Sequence, residues 1–197
     1  MKPAFCAAAL VGFALPFGVL LAGCGDREPS PTLADRAAAI SAGMSVDTLD
    51  VGGRPERIGF REAAGSTFPL PFTVRVPDPM AVTTTRTPAG ETVALTAARQ
   101  GAWSLTLLRA GTGEAAARAA TDSTARTLGT PAADSVDAGT VAAFTSGLGR
   151  VWLGQHAGRY YVVQSAPETE AAREAFDARV AYVESGWTWT DDATALR

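Results

Sequence analysis

Residues 140–165 read TVAAFTSGLGRVWLGQHAGRYYVVQS, and this stretch decides the fold. Three runs, Thr140 to Ser146, Arg150 to His156 and Arg159 to Ser165, are rich in β-branched and aromatic side chains. Gly147-Leu148-Gly149 and Ala157-Gly158 separate them. Short runs of this kind with tight glycine turns between them predict antiparallel strands joined as a meander.

Working upstream, Pro131 to Asp137 reads as a loop and Glu114 to Leu128 as a helix that Thr112 can cap and Gly129 can end. Its buried stripe is mostly alanine, which lets a helix come close to a sheet. Before it, Trp103, Leu105 and Leu107 alternate with Ser104 and Thr106 in a strand. Further strands are expected over Met80 to Arg86 and Glu91 to Ala97, turning at Thr87-Pro88-Ala89-Gly90. Phe72, Val74 and Val76 alternate with Thr73 and Arg75 in the first regular strand, which Pro77 and Pro79 end.

Downstream, Pro167 is expected to open a second helix, with Glu168 and Glu170 in its first turn and Ala172, Phe176, Val180 and Val183 as its apolar stripe. Trp187-Thr188-Trp189 then reads as a short last strand. The pattern predicts an α+β domain over residues 66–197, a mainly antiparallel sheet of six or seven strands with two helices. Residues 45–66 are harder to place. Val46, Leu49 and Val51 suit a short strand, while Gly52, Gly53, Pro55 and Gly65 interrupt the rest, so the domain boundary falls somewhere within this stretch.

Three patterns carry a family resemblance: Phe72-Thr73-Val74-Arg75-Val76-Pro77 as an opening strand ending in proline, Arg159-Tyr160-Tyr161-Val162-Val163 as a central strand, and Ser185-Gly186-Trp187-Thr188-Trp189 after the last helix. Together they resemble the PsbP-like α/β/α sandwich, which occurs in many bacterial lipoproteins. Met80 stands where the family usually has an aromatic. The resemblance implies a fold and lends no shared active site.

The first residues have the order of a secretory signal: Lys2, an apolar run from Phe5 to Leu21, and small residues before Cys24. Gly12, Pro16 and Gly18 interrupt the run, which is short for the about 20 apolar residues of a membrane span. Leu21-Ala22-Gly23-Cys24 resembles the bacterial lipobox. The resemblance implies cleavage between Gly23 and Cys24, removal of residues 1–23, and a diacylglyceryl group on Cys24. Two or more acyl chains, at about 0.8 kcal/mol per buried methylene, anchor a protein durably. Residues 24–65 are then the lipidated cysteine and a tether, including an alanine-rich stretch that can form a short helix capped by Thr32. Resemblance to enteric lipoproteins implies that Gly25, rather than Asp, after the cysteine permits transfer to an outer membrane, facing the periplasm, if the cell has two membranes.

Composition narrows the chemistry. The formal charge is −3, whereas a nucleic-acid binder would be basic. Cys6 leaves with the signal and Cys24 takes lipid, so no disulfide is expected. A single histidine, His156, excludes multi-histidine zinc sites, and lysine is absent after Lys2.

Gly111-Thr112-Gly113-Glu114-Ala115-Ala116 is a G-x-G-x-x-A pattern whose glycines can bring amides near a pyrophosphate. No parallel βαβ unit surrounds it, so it reads as a turn and helix start, and no nucleotide or other cofactor is expected. Ser146 lacks the G-x-S-x-G elbow of a hydrolase and has only His156 as a base. Glu168, Glu170, Glu174 and Asp177 suit a solvated helix face better than an acid and base pair. Asp191 and Asp192 lack the spaced acidic pattern of a calcium loop. No catalytic or metal set is therefore expected.

Trp103, Trp152, Tyr160, Tyr161, Trp187 and Trp189 either fill a core on both faces of a sheet or line a groove for a peptide, glycan or apolar ligand. The expectation is a non-enzymatic, membrane-anchored envelope lipoprotein that binds a protein partner or supports an envelope assembly. The alternatives are a small-ligand carrier using the aromatic groove and a hydrolase.

Overall fold

The computed structural model describes residues 43–136 and 139–196. The signal, Gly23, Cys24 and the helix expected after Thr32 lie outside the described residues. In chain order the elements are β1 (Ser45–Val51), β2 (Arg54–Ala64), β3 (Phe72–Pro77), β4 (Ala81–Arg86), β5 (Gly90–Ala97), β6 (Gly101–Leu108), α1 (Glu114–Leu128), β7 (Pro131–Ala133), β8 (Thr140–Ser146), β9 (Gly149–His156), β10 (Arg159–Pro167), a 3-10 turn (Glu170–Ala172), α2 (Arg173–Ser185) and β11 (Thr188–Trp189). All strand pairs are antiparallel. A seven-stranded sheet runs β4-β5-β6-β10-β9-β8-β7 and a four-stranded sheet β1-β2-β3-β11. This is the α+β fold with a seven-stranded antiparallel sheet that the sequence predicts.

Alternation along the strands gives the larger sheet two faces. On the inner face, Leu95, Trp103, Leu105, Tyr161 and Val163 meet Phe72, Val74 and Val76 of β3. Phe176, Val180 and Val183 of α2 complete that core. Phe176 has no exposed surface, so Phe176→Ala should cost about 3–5 kcal/mol, transfer and cavity included. On the outer face α1 lies over β8, β9 and β10. Its Ala117 and Ala125 pack on Val151, Leu153 and Val162, and the small methyl groups let the helix backbone approach the sheet.

Four local readings are corrected. Gly113, not Thr112, is the N-cap of α1, and the Thr112 hydroxyl instead donates to the Arg109 carbonyl at 2.9 Å. Pro167 ends β10 opposite Gly101 rather than opening a helix; a proline is tolerated at a strand terminus because one missing ladder bond is cheap there. The turn begins after Thr169, whose side chain accepts from the Ala172 amide, and α2 starts at Arg173. Within the loop expected at 131–137, Pro131–Ala133 forms the edge strand β7. The stretch 45–66 holds a hairpin, with Gly52 and Gly53 at φ +60° and +78° supplying the primed turn and β2 pairing on to β3.

The end of the described chain folds back over β11. Trp189 N–H donates to Thr194 O at 2.8 Å, and Leu196 N–H donates to Trp187 O at 3.3 Å. The Tyr161 hydroxyl donates to Leu196 O at 3.2 Å, and Leu196 itself is buried. Residues 190–196 thus form a strap tied to β10 and β11.

Candidate functional site

The aromatic residues come first, because they are where a ligand groove is expected. Trp103, Trp152, Tyr161, Trp187 and Trp189 are each 3 % exposed or less. They belong to one core: Phe72 stacks on Trp187 at 4.0 Å, Trp187 meets Trp189 edge-on at 5.5 Å, and Tyr161 meets Trp152 at 5.6 Å. Tyr160 points to the other face, half-buried beside the α1 cluster. The groove reading is therefore corrected. Phe72 and Val74 of β3, Phe176 of α2 and Leu196 of the strap share the core with these rings and close it over.

Ser146 and His156 do not meet. Ser146 pairs with Gly149 at the start of β9, and His156 ends the same strand opposite Arg159. Seven residues of strand at about 3.3 Å each separate the two by roughly 20 Å. Ser146 is also only 1 % exposed, so its hydroxyl is no accessible nucleophile.

The late carboxylates do not converge either. Glu170 pairs with Arg173 at 3.0 Å, and the Glu174 carboxylate lies over Gly52 in the β1–β2 turn. Burial pushes the Asp177 carboxyl above its ordinary range, against the pull of Arg150 and Arg173. The Gly111–Ala116 segment leaves an antiparallel strand and enters α1, so the parallel unit that would cradle a pyrophosphate is not built there.

What the fold does bring together is His156 with the strap. His156 Nε2 lies 2.9 and 3.1 Å from the two Asp191 oxygens and 3.8 Å from Asp192 Oδ1. The ring stacks on Trp189, centroids 4.9 Å apart and planes 7° from parallel. The Thr194 hydroxyl donates to Asp192 Oδ1 at 2.6 Å, its amide donates to the same oxygen at 3.0 Å, and its oxygen lies 3.5 Å from His156 Nδ1. These Thr194 bonds, first among the causes, hold the Asp192 carboxyl below its ordinary range. Sequence reading missed the cluster because 35 residues separate His156 from Asp191. The one available signal is a lone histidine at a hairpin end and an Asp pair two residues beyond a strand tryptophan.

A second feature is the outer face of the large sheet beyond α1. Strand register aligns three ranks across β4, β5, β6 and β10: Ala81-Thr96-Ala102-Ala166, Thr83-Ala94-Ser104-Gln164 and Thr85-Thr92-Thr106-Val162. Thr92 and Thr106 share a cross-strand hydroxyl bond of 2.9 Å. Thr83, Thr85, Thr96 and Ala102 are exposed, and α1 packs chiefly on strands β7 to β10, with Leu108 at the end of β6 in the same cluster. At the Ala81 end the face continues into an open groove of about 590 Å³, floored by Ala97, Gly101 and Pro167. A helix thus covers one part of this face, and the part over β4, β5 and β6 carries mostly alanine, serine and threonine, with Arg99 and Glu168 on the wall of the groove at its end.

A scan against protein-family models finds no match to the chain, and comparisons with curated proteins and with solved structures find none either.

Proposed function

We propose that the chain is an exported lipoprotein held on a bacterial membrane by acyl chains on Cys24, and that its folded part is a non-enzymatic module that binds a protein partner. In a cell with two membranes its place is the outer one, facing the periplasm. The lipobox Leu21-Ala22-Gly23-Cys24 supports the anchor. The PsbP-like resemblance is kept as part of this reading, supported by α1 on one side of the large sheet and α2 in the core on the other.

The observation that carries the binding role is the uncovered Ala/Thr/Ser face of β4, β5 and β6. On the neighbouring half of the same face, α1 packs through Ala117 and Ala125. A partner helix presenting small side chains is the matching occupant, because only small groups on both surfaces allow such close approach. An apolar floor with a fringe of hydroxyl groups also suits association without a charged contact.

The test is capture from solubilised envelopes by the tagged protein, beside Thr83→Arg and Thr96→Arg. Each variant sets a long cation on an exposed position of the face without touching the core. An envelope protein held by the parent and lost from both variants supports the reading. A protein held equally by all three refutes the face, and a Cys24→Ala protein still on membranes refutes the anchor.

A further inference from the structure

The His156 cluster poses a question of hydrogen-bond direction. Only 9 % of the His156 side chain is exposed, and its stack on Trp189 fixes the ring plane. The Thr194 hydroxyl has one proton, which goes to Asp192 Oδ1 at 2.6 Å because a carboxylate can only accept. The hydroxyl oxygen also lies 3.5 Å from His156 Nδ1, close enough to accept from that nitrogen when it carries the ring hydrogen. Nε2 faces Asp191 at 2.9 and 3.1 Å, where the carboxylate can only accept, and Asp192 at 3.8 Å. A cation that takes the place of the Nε2 proton would meet one imidazole nitrogen and two carboxylates gathered within 4.8 Å of one another.

We propose that His156 Nε2, Asp191 and Asp192 bind a divalent transition metal of the zinc type, with solvent in the remaining position. The donor set decides the class of ion. Calcium and magnesium take oxygen ligands, whereas an imidazole nitrogen with carboxylates suits zinc and its neighbours. The spacing fits: bonds of about 2.0–2.2 Å in a tetrahedron put the ligand atoms roughly 3.3–3.6 Å apart. The three candidate ligand atoms lie within 4.8 Å of one another, and small side-chain rotations close the remaining gap. With a metal on Nε2 the ring hydrogen sits on Nδ1, and Thr194 Oγ1 at 3.5 Å is the acceptor placed to orient the imidazole. Asp191 and Asp192 side chains are 36 % and 50 % exposed, so the ion has a direct path from solvent. Three protein ligands with one open position make a site that exchanges its metal and accepts a further donor, unlike a closed four-ligand structural site.

The test uses the full chain in detergent, without a histidine tag, stripped by chelator and titrated with zinc ion alone by calorimetry. The expected result is one zinc bound per chain, with a change in tryptophan fluorescence from the ring beneath His156. Nitrogen-15 spectra should show the shift at Nε2, with no second histidine in the chain to confuse the assignment. His156→Ala and Asp192→Asn should each weaken binding at least tenfold. Asp192→Asn keeps an acceptor for Thr194, so its effect is read on a strap still in place. Absence of saturable binding up to millimolar zinc overturns the proposal. So does binding of parental strength in both variants, which would put the ion elsewhere.

Discussion

The indole N–H of Trp103 donates to Glu184 Oε1 at 3.2 Å, joining the centre of the seven-stranded sheet to α2 across 81 residues of sequence. Trp152 donates to the same oxygen at 3.3 Å. Glu184→Ala leaves both buried indole donors without this acceptor, and an unmet buried donor costs about 1–3 kcal/mol. We expect a loss of that order in urea unfolding. Glu184→Gln retains a side-chain oxygen and should lose less. Equal losses in the two variants would mean that the indole bonds carry none of it.

Tyr182 gives a pH dependence. Its hydroxyl donates to Asp47 Oδ2 at 2.9 Å, pinning α2 to β1. Burial first, then the bond to Asp47, raises the phenol above its ordinary pKa of 10.0. The folded state therefore holds a proton that the unfolded chain releases earlier. Its stabilisation is complete below pH 10 and is lost as the pH climbs toward the raised value. Unfolding midpoints between pH 9 and 12 should fall in the parent, and Tyr182→Phe should flatten that slope.

Ala157 occupies the first turn position between β9 and β10 at φ +45°, followed by Gly158 at +71°. A left-handed alanine costs roughly 1–2 kcal/mol, and asparagine tolerates the same geometry. Ala157→Asn should raise stability by about 0.5–1 kcal/mol in equilibrium unfolding. A loss instead would show that the turn takes no benefit from an Asn-Gly pair.

Arg179 is 6 % exposed, donates to Ala175 O at 3.0 Å and pairs with Glu56 on β2 at 3.2 Å. The Glu56 side chain is 48 % exposed, so solvent screens the pair. Glu56→Ala should cost about 1 kcal/mol, and Arg179→Met should be near neutral because it removes a buried charge along with its partner's need. Thermal unfolding of the two variants side by side checks the order.

The strands with steady alternation, Phe72 to Val76 and Thr140 to Ser165, were legible because one face of each is core. Strand β2 was not: among its residues Arg54–Ala64 only Ile58 is fully buried, and charged side chains sit on both faces. With that strand hidden, the four-stranded extent of the second sheet was hidden too. The start of α2 was misread because Pro167 suits both a helix start and a strand end, and local pattern does not choose between them. The His156 cluster depends on β11 pairing with β3 and on the strap returning to β10, contacts that no local spacing encodes. The threonine ranks needed the register of three strand pairs before single residues lined up.

Those ranks carry one more consequence. Lysine, arginine or glutamate at a contact surface gives up about 1.5–2 kcal/mol of rotamer freedom when it is covered, while alanine gives up none. Alanine, serine and threonine have at most one heavy-atom side-chain torsion, and the sheet already holds their backbone. Whatever settles on this face meets a surface with little left to immobilise, so the cost of ordering falls almost entirely on the arriving molecule.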